Sequence, residues 1–71
     1  MTKAEYNVIK RYAGNVINEH GGLLQAYAYI EYVLMKIEMT ICQNHIIDKL
    51  MIEYDFFSEI LDEIECRIYM N

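Results

Sequence analysis

Residues 26–39 read AYAYIEYVLMKIEM, and this stretch decides the fold because it makes one helix apolar on two sides. At about 100° per residue, apolar side chains at intervals of three and four residues form a stripe along a helix. The first stripe consists of Leu23, Tyr27, Ile30, Leu34, Ile37 and Ile41. A second stripe, roughly 150° round the helix, consists of Leu24, Ala28, Tyr32, Met35, Met39 and Cys42. A helix with this pattern needs neighbours on two sides.

The first stripe has a counterpart nearer the end of the chain. Apolar residues there recur at intervals of three and four without a break, which is a heptad pattern. They are Ile47, Leu50, Tyr54, Phe57, Leu61, Ile64 and Ile68. We therefore expect a helix over about 46–69 that packs on a helix over about 23–42. Residues 43–45 are a weak stop between the two, so one continuous helix over 23–69 remains open.

A shorter helix, over about residues 3–19, precedes these two. Thr2 and Glu5 have the spacing of a capping box at its start, and Gly21–Gly22 should end it. The apolar residues at helical spacing are Val8, Ile9, Tyr12, Ala13, Val16 and Ile17. We expect this helix to cover the flank of the second helix near Val33 and Ala26.

The chain should therefore be one small all-α domain of three helices over residues 1–71, and a domain of this size is only marginally stable alone. The second stripe packs either on the first helix or on a second copy of the chain. The second helix is longer than the first can cover, and methionine and tyrosine suit a protein contact. We predict a homodimer with the second stripe as its interface. Gly14 in the first helix suggests either close approach of another backbone or a glycine that is tolerated there by accident.

The net charge of −5 is concentrated near the end of the chain. Residues 46–71 carry seven carboxylates against Lys49 and Arg67. The carboxylates opposite the heptad seam form a predicted acidic ridge, flanked by two apolar side chains. The ridge contains Asp48, Asp55, Glu59, Asp62 and Glu63, and the flanking residues are Ile52 and Phe56. Such a face either keeps a small protein soluble or docks a basic protein partner around an apolar anchor.

Several classes of function are disfavoured. With so few positive charges the chain is a poor direct binder of nucleic acid, because phosphate neutralisation supplies most non-specific affinity. No phosphate loop, nucleophile elbow, CxxC pair or HExxH is present, so we expect neither catalysis nor a cofactor. Cys42, His45, His20 and Cys66 are a conceivable zinc set, but their spacing matches no common zinc module, and we expect no metal.

The location expected from the sequence is cytoplasmic. Glu31, Lys36 and Glu38 interrupt the apolar stretch, which falls short of the ~20 apolar residues of a membrane span. Met1 is followed by polar residues with no secretory apolar region, and two cysteines make no disulfide framework. Reduced thiols and no membrane contact are therefore expected.

These features together favour a non-catalytic interaction protein that binds and blocks a basic protein. The composition, rich in Ile, Tyr, Asn and Glu, is typical of low-GC genomes and of short acidic phage or mobile-element chains. An inhibitor of a nucleic-acid-handling or defence-related host protein, with its carboxylates as a loose DNA mimic, is the leading hypothesis. The alternative is a self-assembling structural or regulatory bundle without an external target. A third hypothesis is an oligomeric bundle that binds a metal or a ligand.

Overall fold

A computed structural model describes residues 2–44 and 47–70. Within them lie three helices, α1 (Lys3–His20), α2 (Leu23–Asn44) and α3 (Ile47–Met70), and no strand. The all-α, three-helix prediction is confirmed, and each helix ends one or two residues later than predicted. Because α2 and α3 are separate helices that pack on each other, the alternative of one continuous helix is wrong. His45, part of the predicted stop, lies outside the described residues.

Local signals set both ends of α1. The hydroxyl of Thr2 accepts a hydrogen bond from the backbone N–H of Glu5 at 3.2 Å. Gly21 adopts the left-handed conformation with φ 83°, and the amides of Gly21 and Gly22 both donate to the carbonyl of Ile17 at 3.1 Å. A side chain is strained at such a φ, so glycine is what allows the chain to turn sharply into α2.

Helices α2 and α3 form an antiparallel hairpin. The hydroxyl of Tyr54, early in α3, donates a hydrogen bond to the carboxylate of Glu38, late in α2, at 2.7 Å. At the other end of the hairpin, Tyr27 of α2 and Ile68 of α3 line the same shallow groove. The first stripe of α2 and the heptad seam of α3 therefore face each other, as predicted.

The core lies where the three helices meet. Ala13 of α1, Ala26 and Ile30 of α2, and Ile60 and Ile64 of α3 are fully buried there. The same buried cluster also contains Ile9, Val16 and Leu34. Helix α1 thus covers the flank of α2 at Ala26, as predicted, whereas Val33 is only half-buried and does not belong to this cluster.

Burial differs from the sequence expectation in two places. Ile60 lies outside the heptad seam of α3 and is nevertheless fully buried, because α1 packs on that flank of α3. Val8 and Tyr12, which helical spacing assigns to the buried stripe of α1, are 47% and 49% exposed. The apolar stripe of α1 is therefore wider than the surface that it buries.

Gly14 faces a side chain and not a backbone. A methyl group built on Gly14 would have Nη1 of Arg67 as its nearest neighbour, at the ordinary van der Waals distance of 3.7 Å. The expected backbone contact is therefore wrong. Gly14→Ala should raise the free energy of unfolding by about 0.5–1 kcal/mol, because alanine favours the helix and restricts the unfolded chain. Urea denaturation followed by circular dichroism measures this change.

Gly21→Ala is the contrasting variant for this prediction. Nothing lies within 4 Å of a methyl group at Gly21, but its φ of 83° is strained for any residue with a side chain. This variant should lose about 1–2 kcal/mol of stability. A loss of stability in Gly14→Ala as well would show that the Arg67 guanidinium needs the space beside residue 14.

Candidate functional site

The second stripe of α2 lies on the surface of the chain. All six of its members are exposed: Leu24, Ala28, Tyr32, Met35, Met39 and Cys42. Leu24 is 70% exposed, and Met35 in the middle of the stripe is 49% exposed. Helix α1 packs on the opposite side of α2, at Ala26, and so does not cover these side chains. The reading in which α1 is the neighbour of the second stripe is therefore wrong.

The acidic ridge follows the side of α3 that faces away from α2. Asp48, Asp55, Glu59 and Asp62 are exposed there, as the sequence predicts. Ile52, one of the two flanking apolar residues, is 71% exposed. Because α1 packs beside this edge of α3, the ridge borders the crevice between the two helices.

That crevice contains a groove of about 460 Å³, which we call the acid-rimmed groove. Its apolar lining is Val8, Ile9 and Phe56, and its acidic lining is Glu5, Asp55 and Glu59. None of these six residues is basic. Glu5 was not part of the predicted ridge, since the sequence assigned it only a capping role. It joins the rim because α1 brings its first turn next to the middle of α3.

Phe56 forms a fixed part of the groove wall. Its ring meets the ring of Tyr12 edge-on, with 5.2 Å between centroids, and that of Phe57 at 5.7 Å. It is half-buried and packs against the core. Phe56 lies off the heptad seam of α3, as predicted, but the core and the neighbouring rings cover part of it. Only part of the ring remains open to a ligand.

Glu63 does not belong to the open ridge. Its side chain is only 12% exposed and pairs with Nε of Arg67 at 2.9 Å. The hydroxyl of Tyr6 also donates to Glu63, at 3.4 Å, and Nη2 of Arg67 donates to the carbonyl of Lys10 at 3.0 Å. One residue after Asp62, Glu63 is rotated by about 100° toward α1. It ties α3 to α1, and its charge is compensated within the chain.

The hydrogen-bonded tyrosines are held in their neutral form. The negative charge of Glu63 raises the pKa of Tyr6 above 10.0, with burial and the hydrogen bond adding to the effect. The hydrogen bond to Glu38 raises the pKa of Tyr54, again with a contribution from burial. A raised phenol pKa stabilises the fold below pH 10, and this stabilisation is lost as the pH rises through the folded-state pKa.

The residues considered for zinc are not gathered in the described part of the chain. Within residues 2–44 and 47–70, no three His, Cys, Asp or Glu side chains are arranged to hold a metal ion. His20 instead stacks on Tyr29, with 4.1 Å between ring centroids, and Cys42 and Cys66 are exposed thiols. His45 lies outside the described residues. No helix in these ranges combines the length and apolarity needed to cross a membrane.

Two surfaces therefore remain as candidates for function, the acid-rimmed groove and the exposed second stripe of α2. Comparison of the chain with protein-family models, curated proteins and solved structures finds no match.

Proposed function

We propose that this protein is a non-catalytic binding module that holds a basic segment of another protein in the acid-rimmed groove. The observation that carries the proposal is the lining of the groove, which combines the apolar side chains of Val8, Ile9 and Phe56 with three carboxylates. Apolar anchors that lose their water at the centre of a contact supply most of the binding energy. Charges at the rim increase the association rate and exclude the wrong partners.

The charge of the groove determines the chemistry of the partner. The exposed carboxylates of the acidic ridge extend the rim along α3 from Asp48 to Asp62, over about 20 Å. A complementary segment carries lysine or arginine side chains on both sides of a leucine or an aromatic residue. Such a segment places its apolar side chain against Phe56 and its cations against Glu5, Asp55 and Glu59.

Blocking of nucleic-acid binding is the specific form of this proposal. Basic protein segments of this kind commonly bind phosphates. Successive ridge carboxylates lie about 5–10 Å apart along the helix axis and offer such a segment an alternative set of negative charges. In this role the protein inhibits a nucleic-acid-handling or defence-related protein of a host cell, as a phage-type DNA mimic does.

Neutralisation of the rim provides the test of binding. Asp55→Asn, Glu59→Gln and Asp62→Asn together should weaken binding of an amphipathic lysine/leucine peptide about tenfold at ~0.1 M salt and flatten the salt dependence. The control is Glu19→Gln, Glu53→Gln and Glu65→Gln, which removes three charges from the same net −5 at residues that do not line the groove. Calorimetry at two salt concentrations measures both triple variants. Equal loss of peptide affinity in both triple variants would show that the peptide responds to net charge alone and not to the groove.

Blocking needs a separate experiment. A basic protein captured from a bacterial lysate should release its bound nucleic acid when the wild-type protein is added, and an electrophoretic mobility shift reports the release. The rim-neutralised triple variant should not cause this release, whereas the charge-matched control should. If the basic protein binds this protein and the nucleic acid at the same time, the proposed inhibition is wrong, whereas the proposed binding module still stands.

The exposed second stripe favours a second candidate function, self-assembly. Tyr32, Met35 and Met39 are each about half exposed on the face of α2 opposite the core, and a contiguous apolar face of this kind marks an interaction surface. A standard interface removes ~800 Å² per partner, about a seventh of the 5227 Å² that this chain exposes. In this alternative the chain is a homodimeric structural or regulatory bundle. Sedimentation velocity over about 1–100 µM decides between monomer and dimer.

A further inference from the structure

We infer that the second stripe of α2 pairs with the same stripe of a second copy as a parallel two-helix coiled coil, with Glu31 of each copy beside the partner's Lys36. This inference rests on the self-assembly proposed above and adds its orientation and register. It follows from three features of α2: where its heptad positions face, which charges border the exposed stripe, and whether those charges are already paired.

Helix α2 carries two opposite faces with the same seven-residue period. Ile30 and Ile37 are buried in the fold, whereas Tyr32 and Met39, at the same separation, are about half exposed. If Tyr32 and Met39 are placed at heptad position a, then Ala28, Met35 and Cys42 occupy position d. Ile30 and Ile37 then occupy position f, which lies directly opposite the a/d seam. The exposed stripe therefore has the geometry of a coiled-coil seam.

Charges on the two edges of this seam differ in sign. Glu31 and Glu38 occupy g positions on one edge, and Lys36 occupies an e position on the other. In a parallel pair each g residue faces the e residue five positions further along the partner helix. Glu31 then meets the partner's Lys36, and the two-fold symmetry of a homodimer forms this ion pair twice. The same rule places Leu24 beside the partner's Tyr29, which is an apolar match.

An antiparallel pair would bring like charges together. In that orientation g positions face g positions and e positions face e positions. Glu31 and Glu38 of both copies would gather along one edge, and Lys36 would approach the lysine of the other copy. Like charges placed against each other oppose association. The charge pattern of the stripe thus complements a second parallel copy of itself.

Glu31 and Lys36 are both available for this contact. Each is exposed, and within residues 2–44 and 47–70 neither forms a salt bridge. Nζ of Lys36 lies 5.5 Å from the ring centroid of Tyr32, at the edge of the seam. Glu38, the other g carboxylate, accepts the hydrogen bond from Tyr54 within its own chain. The pair of Glu31 with Lys36 is therefore the contact that sets the orientation.

Cys42 provides a direct test, because it occupies a d position. In a parallel pair the two Cys42 side chains meet across the two-fold axis, whereas a centred antiparallel pair separates them by roughly 25 Å. Cys66→Ser leaves one thiol per chain, and oxidised glutathione takes up the two electrons and two protons as two thiols become one disulfide. A covalent dimer on a non-reducing gel is expected from Cys66→Ser. None is expected from Cys42→Ser, which retains the exposed Cys66.

Glu31→Lys tests the charge pattern without oxidation. In a parallel pair it replaces two attractions by two repulsions and should raise the dimer dissociation constant about tenfold. Lys36→Glu in the same chain should restore it. In an antiparallel pair Glu31→Lys would relieve repulsion and tighten the dimer.

Sedimentation velocity on the wild type and these variants separates the outcomes. A weaker Glu31→Lys dimer, its rescue by Lys36→Glu and the Cys42 disulfide together support the parallel register. A wild-type dimer that Glu31→Lys tightens, and that forms no Cys42 disulfide, overturns the orientation while self-assembly stands. A wild type that stays monomeric over about 1–100 µM overturns both.

Discussion

Replacement of Ile60 by alanine should lower the free energy of unfolding by about 2–5 kcal/mol. Ile60 is fully buried at the junction of the three helices. The variant loses the transfer free energy of the removed methyl groups and leaves a cavity that α1 and α2 fill only in part. A domain of 71 residues has a total stability of about 4–11 kcal/mol, so this variant should lose a large part of it.

Ile52→Ala is the matched control for Ile60→Ala. It makes the same chemical change in the same helix, but at a side chain that is 71% exposed. The expected change in stability is within about 0.5 kcal/mol. Urea denaturation followed by circular dichroism gives both values. Equal losses at the two positions would contradict the placement of α1 against the Ile60 flank of α3.

Met35→Glu should raise the dimer dissociation constant more than a hundredfold, or by about 2.7 kcal/mol, if the second stripe of α2 is the interface. In a single chain Met35 is 49% exposed, so the glutamate stays hydrated and the fold should persist. In the proposed dimer two of these carboxylates would be buried against each other, each without a partner. Unpaired buried charges cost several kcal/mol.

Met70→Glu is the matched control for this interface variant. Met70 is 86% exposed at the end of α3, away from the middle of the stripe. It adds the same charge and should leave the dissociation constant unchanged. Sedimentation velocity with circular dichroism on the same samples distinguishes loss of pairing from loss of fold. A dissociation constant that Met35→Glu leaves unchanged would contradict the stripe as the interface.

The helices and their local boundaries follow from the sequence because the interactions that set them span only a few residues. Thr2 caps the amide three residues later, and Gly21 ends α1 through a bond to Ile17 four residues earlier. The side of a helix on which a residue lies also depends on spacing alone. For that reason the core face of α2, the side of α2 that carries the second stripe and the side of α3 that carries the ridge carboxylates were predictable, whereas the exposure of the second stripe depended on where α1 packs.

Which residues each side contacts was decided only by the tertiary structure, because α1 and α3 pack together although all of α2 lies between them along the chain. The packing of α1 on α3 buries Ile60 outside the heptad seam and turns Glu63 from an expected ridge residue into the partner of Arg67. It also brings Glu5 next to Asp55 and Glu59, and the three carboxylates together line the acid-rimmed groove. Helical periodicity alone placed the acidic ridge on one side of α3. The groove could not be predicted, because its two walls come from residues about fifty positions apart, which no local sequence pattern connects.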